Sequence, residues 1–175
     1  MQSRCTEGSA TQIWHPTYIG CTVSPLFADF QLFADWHGHQ IGYGEQGYEI
    51  DKDILINGNK LYSETTCVLV PKTLNTWLLA CNTARGEFPQ GVSWHRRDQK
   101  FQASMSIDGK KKHLGYHTSV DAASSAYKAA KEAEASRWYE RLRDGEFIVD
   151  PRVIERMKNW KLDERSISGA DRCTS

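Results

Sequence analysis

Apolar and polar residues alternate without interruption between positions 101 and 107, which is the period of a β-strand with one buried face. The apolar positions are Phe101, Ala103, Met105 and Ile107. Asp108-Gly109 follows, and this dipeptide favours the tight turn of a β-hairpin. The pattern therefore predicts a hairpin whose return strand runs from Lys110 to Tyr116.

A helical pattern follows this hairpin directly. Thr118 has an acidic residue three positions later, which is typical of a helix N-terminus. Ala123, Tyr127 and Ala130 then recur at helical spacing, and small residues of this kind let a helix lie close to a sheet. We expect a three-stranded sheet backed by one helix, with an exposed face that is polar and basic.

The first half of the chain has shorter apolar runs, separated by a glycine-rich loop between positions 38 and 47. Residues 18–23 predict a short strand. Residues 25–36 predict a helix, because four aromatic residues share one of its faces. They are Phe27, Phe30, Phe33 and Trp36. An aromatic face of this kind is typical of core packing.

A second hairpin is predicted after the glycine-rich loop. Residues 48–55 predict one strand, residues 57–60 a turn, and residues 61–70 the returning strand. A proline then marks the start of a helix, because proline is tolerated at the first helical position. We expect this helix to run from residue 72 to about residue 80 and to present Asn75 towards the hairpin.

Charge is distributed unevenly, although the 175-residue chain is neutral overall with 22 Lys/Arg and 22 Asp/Glu. Residues 1–82 hold four of the basic and eight of the acidic residues, so residues 83–175 are net basic. This distribution fits a cation-binding or catalytic module joined to one that binds a polyanion, and it also fits two neutral modules by chance. The length has room for two small domains.

No apolar run is long enough to span a membrane, and the N-terminus lacks the apolar core of a signal peptide. We therefore expect a cytoplasmic protein with no membrane partner and no small organic cofactor. The five cysteines are scattered without a Cys-x-x-Cys pair, which predicts reduced thiols and no structural zinc. They are Cys5, Cys21, Cys67, Cys81 and Cys173.

Five short motifs in the second half occur in the order found in one known family. They are Gly91-Val92, Lys100-Phe101-Gln102-Ala103, His113-Leu114-Gly115-Tyr116-His117-Thr118, Ala122-Ala123 and Ala126-Tyr127. This segment resembles the AP2 DNA-binding domain, whose exposed sheet face enters the major groove. The resemblance implies double-stranded DNA as the partner. The DNA-binding candidates are Ser93, His95, Arg96, Arg97, Lys100, Ser104, Ser106, Lys110, Lys111, Lys112 and His113.

The charge of this segment agrees with a nucleic-acid contact. Residues 91–113 include six Lys/Arg and two Asp/Glu, which are enough cations for salt-sensitive binding. Two positions depart from the family pattern. Ser93 occupies a position where the family has arginine, and His113 occupies a position where the family has tryptophan. The alternative to a DNA-binding face is an ordinary solvated hairpin.

Motifs in residues 4–75 resemble a second family. They are Arg4-Cys5, Tyr18-x-Gly20-Cys21-Thr22-Val23, Phe30-x-x-Phe33-x-x-Trp36, Ile50-Asp51-Lys52-Asp53-Ile54-Leu55, Gly58-Asn59-Lys60-x-Tyr62-Ser63, Thr66-Cys67-Val68-x-Val70-Pro71 and Asn75. Together with the predicted hairpin and helix, they resemble the HNH, or ββα-metal, nucleases of the phage homing-endonuclease type. In that group an AP2 domain often follows the nuclease module.

The resemblance implies phosphodiester hydrolysis with one divalent metal, Mg²⁺ or alternatively Mn²⁺. Asp51 matches the carboxylate that holds the metal, Asn75 matches the helix residue that completes the site, and Asp53 is a reserve ligand. Acidic residues beside a turn are also commonly just solvated. The general-base histidine of the family falls on Lys52, and a lysine is protonated at neutral pH unless burial lowers its pKa.

Three explanations of the lysine stay open. His37 or His39, beside the glycine-rich loop, acts as the base; a metal-bound water reacts without one; or the site is inactive. A lone histidine after a helix is usually a surface residue, so both also have a structural explanation.

The sequence thus predicts an α+β protein with a ββα-metal (HNH-like) module in residues 1–82 and a linker in residues 83–90. Residues 91–145 form an AP2-like three-stranded antiparallel sheet with one packing helix, and residues 146–175 a C-terminal extension. The expected function is DNA cleavage, in the host cytoplasm if the protein is phage-encoded. The alternatives are a non-cleaving DNA-binding protein on the same scaffold and an AP2-type transcription regulator with an unrelated N-terminal domain.

Overall fold

A computed structural model describes residues 1–78, 88–107 and 109–162. These residues form a mixed α+β structure with three small sheets, which confirms the predicted class. Residues 83–87 of the predicted linker and Asp108 of the predicted turn lie outside the described residues. None of the described helices is long and apolar enough to cross a membrane.

The chain divides into two compact units. Unit 1 comprises Met1–Asn75 and Asp144–Arg156, and unit 2 comprises Thr76–Arg143 and the chain from Met157. The segment 144–156, expected at the end of the DNA-binding domain and in a C-terminal extension, is therefore grouped with the N-terminal residues.

The first 78 residues form short helices and short strands. They are α1 (Gln2–Cys5), α2 (Ala10–Trp14), a 3₁₀ turn (Pro16–Tyr18), β1 (Thr22–Val23), α3 (Pro25–Ala28), α4 (Phe30–Gly38), β2 (Tyr48–Asp51), β3 (Leu61–Tyr62), β4 (Val68–Pro71) and α5 (Lys72–Leu78). Longer elements follow. They are β5 (Val92–His95), β6 (Lys100–Ile107), β7 (Lys110–His117), α6 (Val120–Arg143) and α7 (Pro151–Lys158).

Strand β2 stops at Asp51, earlier than the pattern of residues 48–55 predicts. The Asp51 carboxylate accepts hydrogen bonds from the backbone N–H groups of Asp53 (2.8 Å) and Ile54 (2.6 Å), which turns the chain out of the strand. Strand β2 pairs antiparallel with β4, whereas β3 pairs in parallel with β1. The predicted tight hairpin across residues 57–60 is therefore wrong.

Asn59 explains why the chain between β2 and β3 forms a loop instead of a hairpin. Its side-chain amide donates to the carbonyl oxygens of Lys52 and Leu61, each at 2.7 Å. These hydrogen bonds stabilise the loop through a side chain instead of through backbone pairing between strands. Strands β2 and β4 are paired across a long loop, and helix α5 follows β4 directly.

The helix predicted over residues 25–36 is two helices, because Asp29 interrupts it. The Asp29 carboxylate accepts from two backbone N–H groups of α4, at 2.8 and 3.0 Å, and so caps that helix. Phe30 is 77% exposed, so its expected place on the aromatic face is wrong. The remaining aromatic residues pack in the core of unit 1 beside Cys21, Tyr62 and Cys67.

Unit 2 contains the expected three-stranded antiparallel sheet, in the order β5-β6-β7, with α6 packed against it. Ala103 and Met105 are buried, in agreement with the alternation in β6. Helix α6 is capped by Ser119, whose hydroxyl accepts from the N–H of Ala122 at 3.2 Å, and not by the predicted Thr118.

Gly91 permits the close approach of α6 to this sheet. Its φ is +76°, and a Cβ built there would lie 2.0 Å from the ring of Tyr127. A side chain at this position would both strain the backbone and overlap the ring.

The segment 144–156 is tied to unit 1 by hydrogen bonds to its loops. Arg152 Nη1 donates to the carbonyl oxygen of Thr65 at 3.1 Å, and Arg156 Nε donates to that of Ile54 at 3.2 Å. These contacts explain why a segment distant in sequence belongs to the N-terminal unit.

Candidate functional site

The antiparallel pair β2–β4 and helix α5 bring an acid and an amide together. Asn75 on α5 donates from Nδ2 to Oε1 of Glu49 on β2, at 2.8 Å. Glu49 and Asp51 are two positions apart on this strand, so they lie on the same face. Asn75 was expected to face the predicted hairpin, and in the structure its hydrogen-bond partner is Glu49 on β2.

Asp51 is buried, with 8% of its surface exposed. Burial and the charge of Asp53 raise the pKa of Asp51 to about 6, although two backbone N–H groups stabilise the carboxylate. It is thus mainly ionised at neutral pH, and one of its oxygens accepts the two backbone N–H groups of the turn that follows β2.

Lys52 is also 8% exposed, and its Nζ lies 3.0 Å from Oδ2 of Asp53 and 5.6 Å from the centre of the Tyr62 ring. Burial disfavours its charge, but the charge and hydrogen bond of Asp53 outweigh burial, so the pKa of Lys52 is raised. A lysine in this state is a cation that holds negative charge and does not accept a proton. The same contact engages Asp53, the reserve ligand.

Arg4 adds a second cation to this region. Its guanidinium donates to the Tyr62 hydroxyl at 3.4 Å and lies 4.8 Å from the centre of the Tyr18 ring. Burial opposes its charge, but the Tyr62 hydrogen bond and nearby groups, including Glu49, leave the pKa of Arg4 raised. Both cations therefore contact one tyrosine, Tyr62, at the end of β3.

The two candidate histidines make contacts close to their own helix. His39 Nδ1 lies 2.7 Å from the carbonyl oxygen of Asp35, and the His37 ring stacks on Phe33 at 5.7 Å. The edge of the Tyr43 ring also meets His37 at 5.2 Å. These neighbours fit the structural explanation of both histidines.

The donor chemistry of this region fits a hard divalent cation. Glu49, Asp51 and Asn75 offer carboxylate and amide oxygens, which are the ligands that Mg²⁺ and Mn²⁺ take. Within residues 1–78, 88–107 and 109–162, no group of three His, Cys, Asp or Glu side chains is arranged to hold a metal. The candidate metal ligands are accordingly two acidic side chains and one amide.

A second candidate site is the sheet face of unit 2 that points away from α6. We call it the outer face, and the strand register assigns nine residues to it. They are Ser93, His95, Lys100, Gln102, Ser104, Ser106, Lys111, His113 and Tyr116. Seven of them were predicted as DNA-binding residues, and Gln102 and Tyr116 were not.

The three consecutive lysines of β7 divide between the two faces. Lys111 is opposite Ser106 and belongs to the outer face, whereas Lys112 is opposite Met105 and Lys110 is opposite Ile107. All three are exposed, but only Lys111 projects with the residues of the outer face.

The turn between β5 and β6 places cations at one end of the outer face. Arg96 and Lys100 are exposed there. Arg97 Nε lies 2.9 Å from Oδ1 of Asp98, and His95 Nδ1 lies 3.3 Å from Oδ2 of the same residue. Hydrogen bonding to Arg97 lowers the pKa of Asp98, so this carboxylate partly neutralises the turn.

Two residues missed by sequence reasoning had a signal in the strand period. Glu49 shares its face with Asp51, and Gln102 shares its face with Ser104. In both strands, strict alternation along the sequence is enough to identify these neighbours.

No family model, curated protein or solved structure matches this chain.

Proposed function

We propose that this protein is a divalent-metal-dependent DNA endonuclease. Its outer face binds duplex DNA, and the region around β2 and α5 hydrolyses a phosphodiester. The observation that carries the catalytic part is the contact of Asn75 with Glu49, on a strand face that also carries Asp51. A divalent cation bound there would stabilise the charge that develops on the leaving oxygen.

The side chains of unit 1 supply the other requirements. Glu49 and Asp51 provide negative charge to hold the cation, and Asn75 orients Glu49 through its hydrogen bond. Arg4 and Lys52 attract the DNA phosphate, because both keep their charge. Lys52 is assigned this electrostatic role, and not that of a general base.

A non-cleaving DNA-binding protein is the second candidate. Two contacts favour this candidate. One oxygen of Asp51 already accepts two backbone N–H groups, and Lys52 is paired with Asp53, so fewer side-chain groups are available for catalysis. Under this alternative the outer face still binds DNA.

A nicking assay on supercoiled plasmid separates the two candidates. We expect wild-type protein to nick with Mg²⁺ or Mn²⁺ and to be inactive in EDTA. Glu49→Gln should reduce the rate by at least about a hundredfold, because removal of a charged ligand costs several kcal/mol. Glu45→Gln is the matched control, since Glu45 is exposed in the preceding loop.

The outcomes are distinguishable by a parallel mobility-shift measurement. Binding without nicking, across both metals and pH 6 to about 9, would favour the non-cleaving candidate. Equal nicking by wild type and Glu49→Gln would place the chemistry elsewhere. Absence of duplex binding by the full chain would overturn both candidates.

A further inference from the structure

The middle of the outer face is built from an amide, an imidazole and a phenol. Gln102 lies on the central strand β6, opposite Tyr116 of β7 and Ser93 of β5. Its Nε2 lies 3.1 Å from Nδ1 of His113, and the His113 ring lies 4.6 Å from the Tyr116 ring. The Gln102 amide therefore contacts His113, whose ring in turn packs beside Tyr116.

The cations occupy the ends of the same face. Arg96 and Lys100 are at the turn between β5 and β6, and Lys111 is at the opposite end near the turn to β7. Charged ends fit phosphates, whereas a polar centre fits base edges, because phosphate contacts position a protein and base contacts specify sequence.

The width of the sheet selects the groove. Three strands span about 10 Å at the usual strand spacing, which the major groove of about 12 Å admits and the minor groove of about 6 Å does not. A central residue such as Gln102 would then meet the major-groove edges of the bases.

The amide of Gln102 has the donor and acceptor that one base requires. When one N–H is directed to His113, the second N–H and the Oε1 remain, and among the described residues neither meets a partner. Adenine presents N7 as an acceptor and N6 as a donor on its major-groove edge, so a glutamine amide pairs with it through two hydrogen bonds.

We infer that Gln102 reads adenine in the major groove of the bound DNA and that His113 is the residue that positions its amide. This inference rests on the proposed binding of duplex DNA by the outer face. A contact of Gln102 with adenine adds a base preference that cations alone do not provide.

The test is selection of preferred sites from a random duplex library with the full-length protein, followed by Kd measurements. We expect a selected site with an essential A·T pair. At that pair 7-deaza-adenine, which lacks N7, should weaken binding about tenfold, because one of the two hydrogen bonds of the bidentate contact is lost. Gln102→Ala should lose this preference, so that its Kd values for the selected site and for the same site with the A·T pair changed become equal.

Three further variants separate base reading from loss of folding or of charge. Gln102→Glu should shift the preference from A·T towards C·G at that position, because a carboxylate accepts from cytosine N4. His113→Phe should weaken the adenine preference, because the Gln102 amide loses its contact with the imidazole nitrogen. Lys111→Ala should weaken binding to all sequences equally and leave the preference unchanged.

The inference is overturned if Gln102→Ala keeps the wild-type preference at every position, or if selection returns no preferred base while the protein binds duplex DNA. Failure of the wild-type protein to bind any duplex would instead overturn the proposed function.

Discussion

The candidate metal site of unit 1 and the sheet of unit 2 use charged side chains in opposite ways. Unit 1 buries Asp51 and Lys52 and satisfies them with backbone N–H groups and with Asp53. The sheet of unit 2 and its first turn instead expose cations, among them Arg96, Lys100 and Lys111. A buried charge is stable only in a fixed set of partners, whereas an exposed cation interacts with a mobile polyanion at low cost. The difference separates a region whose charges have fixed partners from one whose charges are exposed to solvent.

The two units also differ in the contacts that hold their strands together. The strands of unit 1 contain two to four residues and are joined by side-chain braces such as Asn59. Strands β6 and β7 of unit 2 contain eight residues each and are joined by an extended ladder. Local substitutions should therefore act on unit 1 through particular side chains, and on unit 2 mainly through packing and backbone shape.

Gly91→Ala should have the largest effect on stability. The methyl group would meet the Tyr127 ring, and a non-glycine residue would be forced to a φ of +76°. Overpacking and left-handed strain together should destabilise unit 2 by about 3 kcal/mol. The measurement is denaturant unfolding, with hydrogen exchange to identify the affected strands.

Gly109→Ala is the matched control for this substitution. Gly109 has a φ of +73°, but nothing lies within 4 Å of its missing Cβ. It should therefore show only the backbone cost, about 1 kcal/mol. Equal effects of the two substitutions would mean that contact between the sheet and Tyr127 does not limit stability.

Asp51→Asn should change how the stability of unit 1 depends on pH. The folded pKa of Asp51 is about 6, above its ordinary value of 3.8, so the folded state binds the proton more tightly. The stability that this proton provides is present below about pH 4 and is lost as pH rises through 6. Wild-type protein in EDTA should thus lose about 2–3 kcal/mol over this range through this group.

Asparagine removes this titration but keeps an oxygen that accepts from the N–H groups of Asp53 and Ile54. The variant should show a flatter stability profile between pH 4 and 7, measured by hydrogen exchange of the β2 and β4 amides corrected for intrinsic rates. Parallel profiles for the two proteins would show that Asp51 does not carry a raised pKa.

The contrast between the units also explains what the sequence could predict. In β6, uninterrupted alternation shows which side chains are buried, and the three-stranded sheet with a helix follows from local patterns. In unit 1, β3 pairs with β1, about forty residues earlier, and no local period encodes that partner. The predicted hairpin was wrong for this reason.

The candidate site shows the same limit. Asn75 and Asp51 could be selected from the sequence, but the partner of Asn75 depends on how α5 crosses β2. The charge state of Lys52 also depends on burial and on the distance to Asp53, which composition does not contain. Glu49 was accessible from strand alternation, and the hydrogen bond from Asn75 was not.

Lys111→Ala and Lys112→Ala together test whether the outer face is the one that meets DNA. Lys111 belongs to that face and its neighbour does not, although the two substitutions remove the same charge. Lys111→Ala should weaken duplex binding about fivefold and reduce the salt slope by about 1, as expected for one phosphate contact. Mobility shifts across a salt series measure both quantities.

Lys112→Ala should change affinity by less than about twofold, because its effect is limited to long-range attraction. If the two variants weaken binding equally, net charge and not the face of the sheet controls the interaction. A larger effect of Lys112→Ala would assign binding to the opposite side.

Asp29→Ala should have the smallest effect and should confine it to unit 1. The carboxylate caps α4 through two N–H groups and is exposed, so its loss should cost about 0.5–1 kcal/mol. Asp35→Ala, on the same helix and away from its N-terminus, is the control and should change stability by less. Hydrogen exchange should show faster opening of α4 with β6 and β7 unchanged. Destabilisation of β6 and β7 to the same extent would mean that the two units unfold as one, so that they differ in chemistry and not in stability.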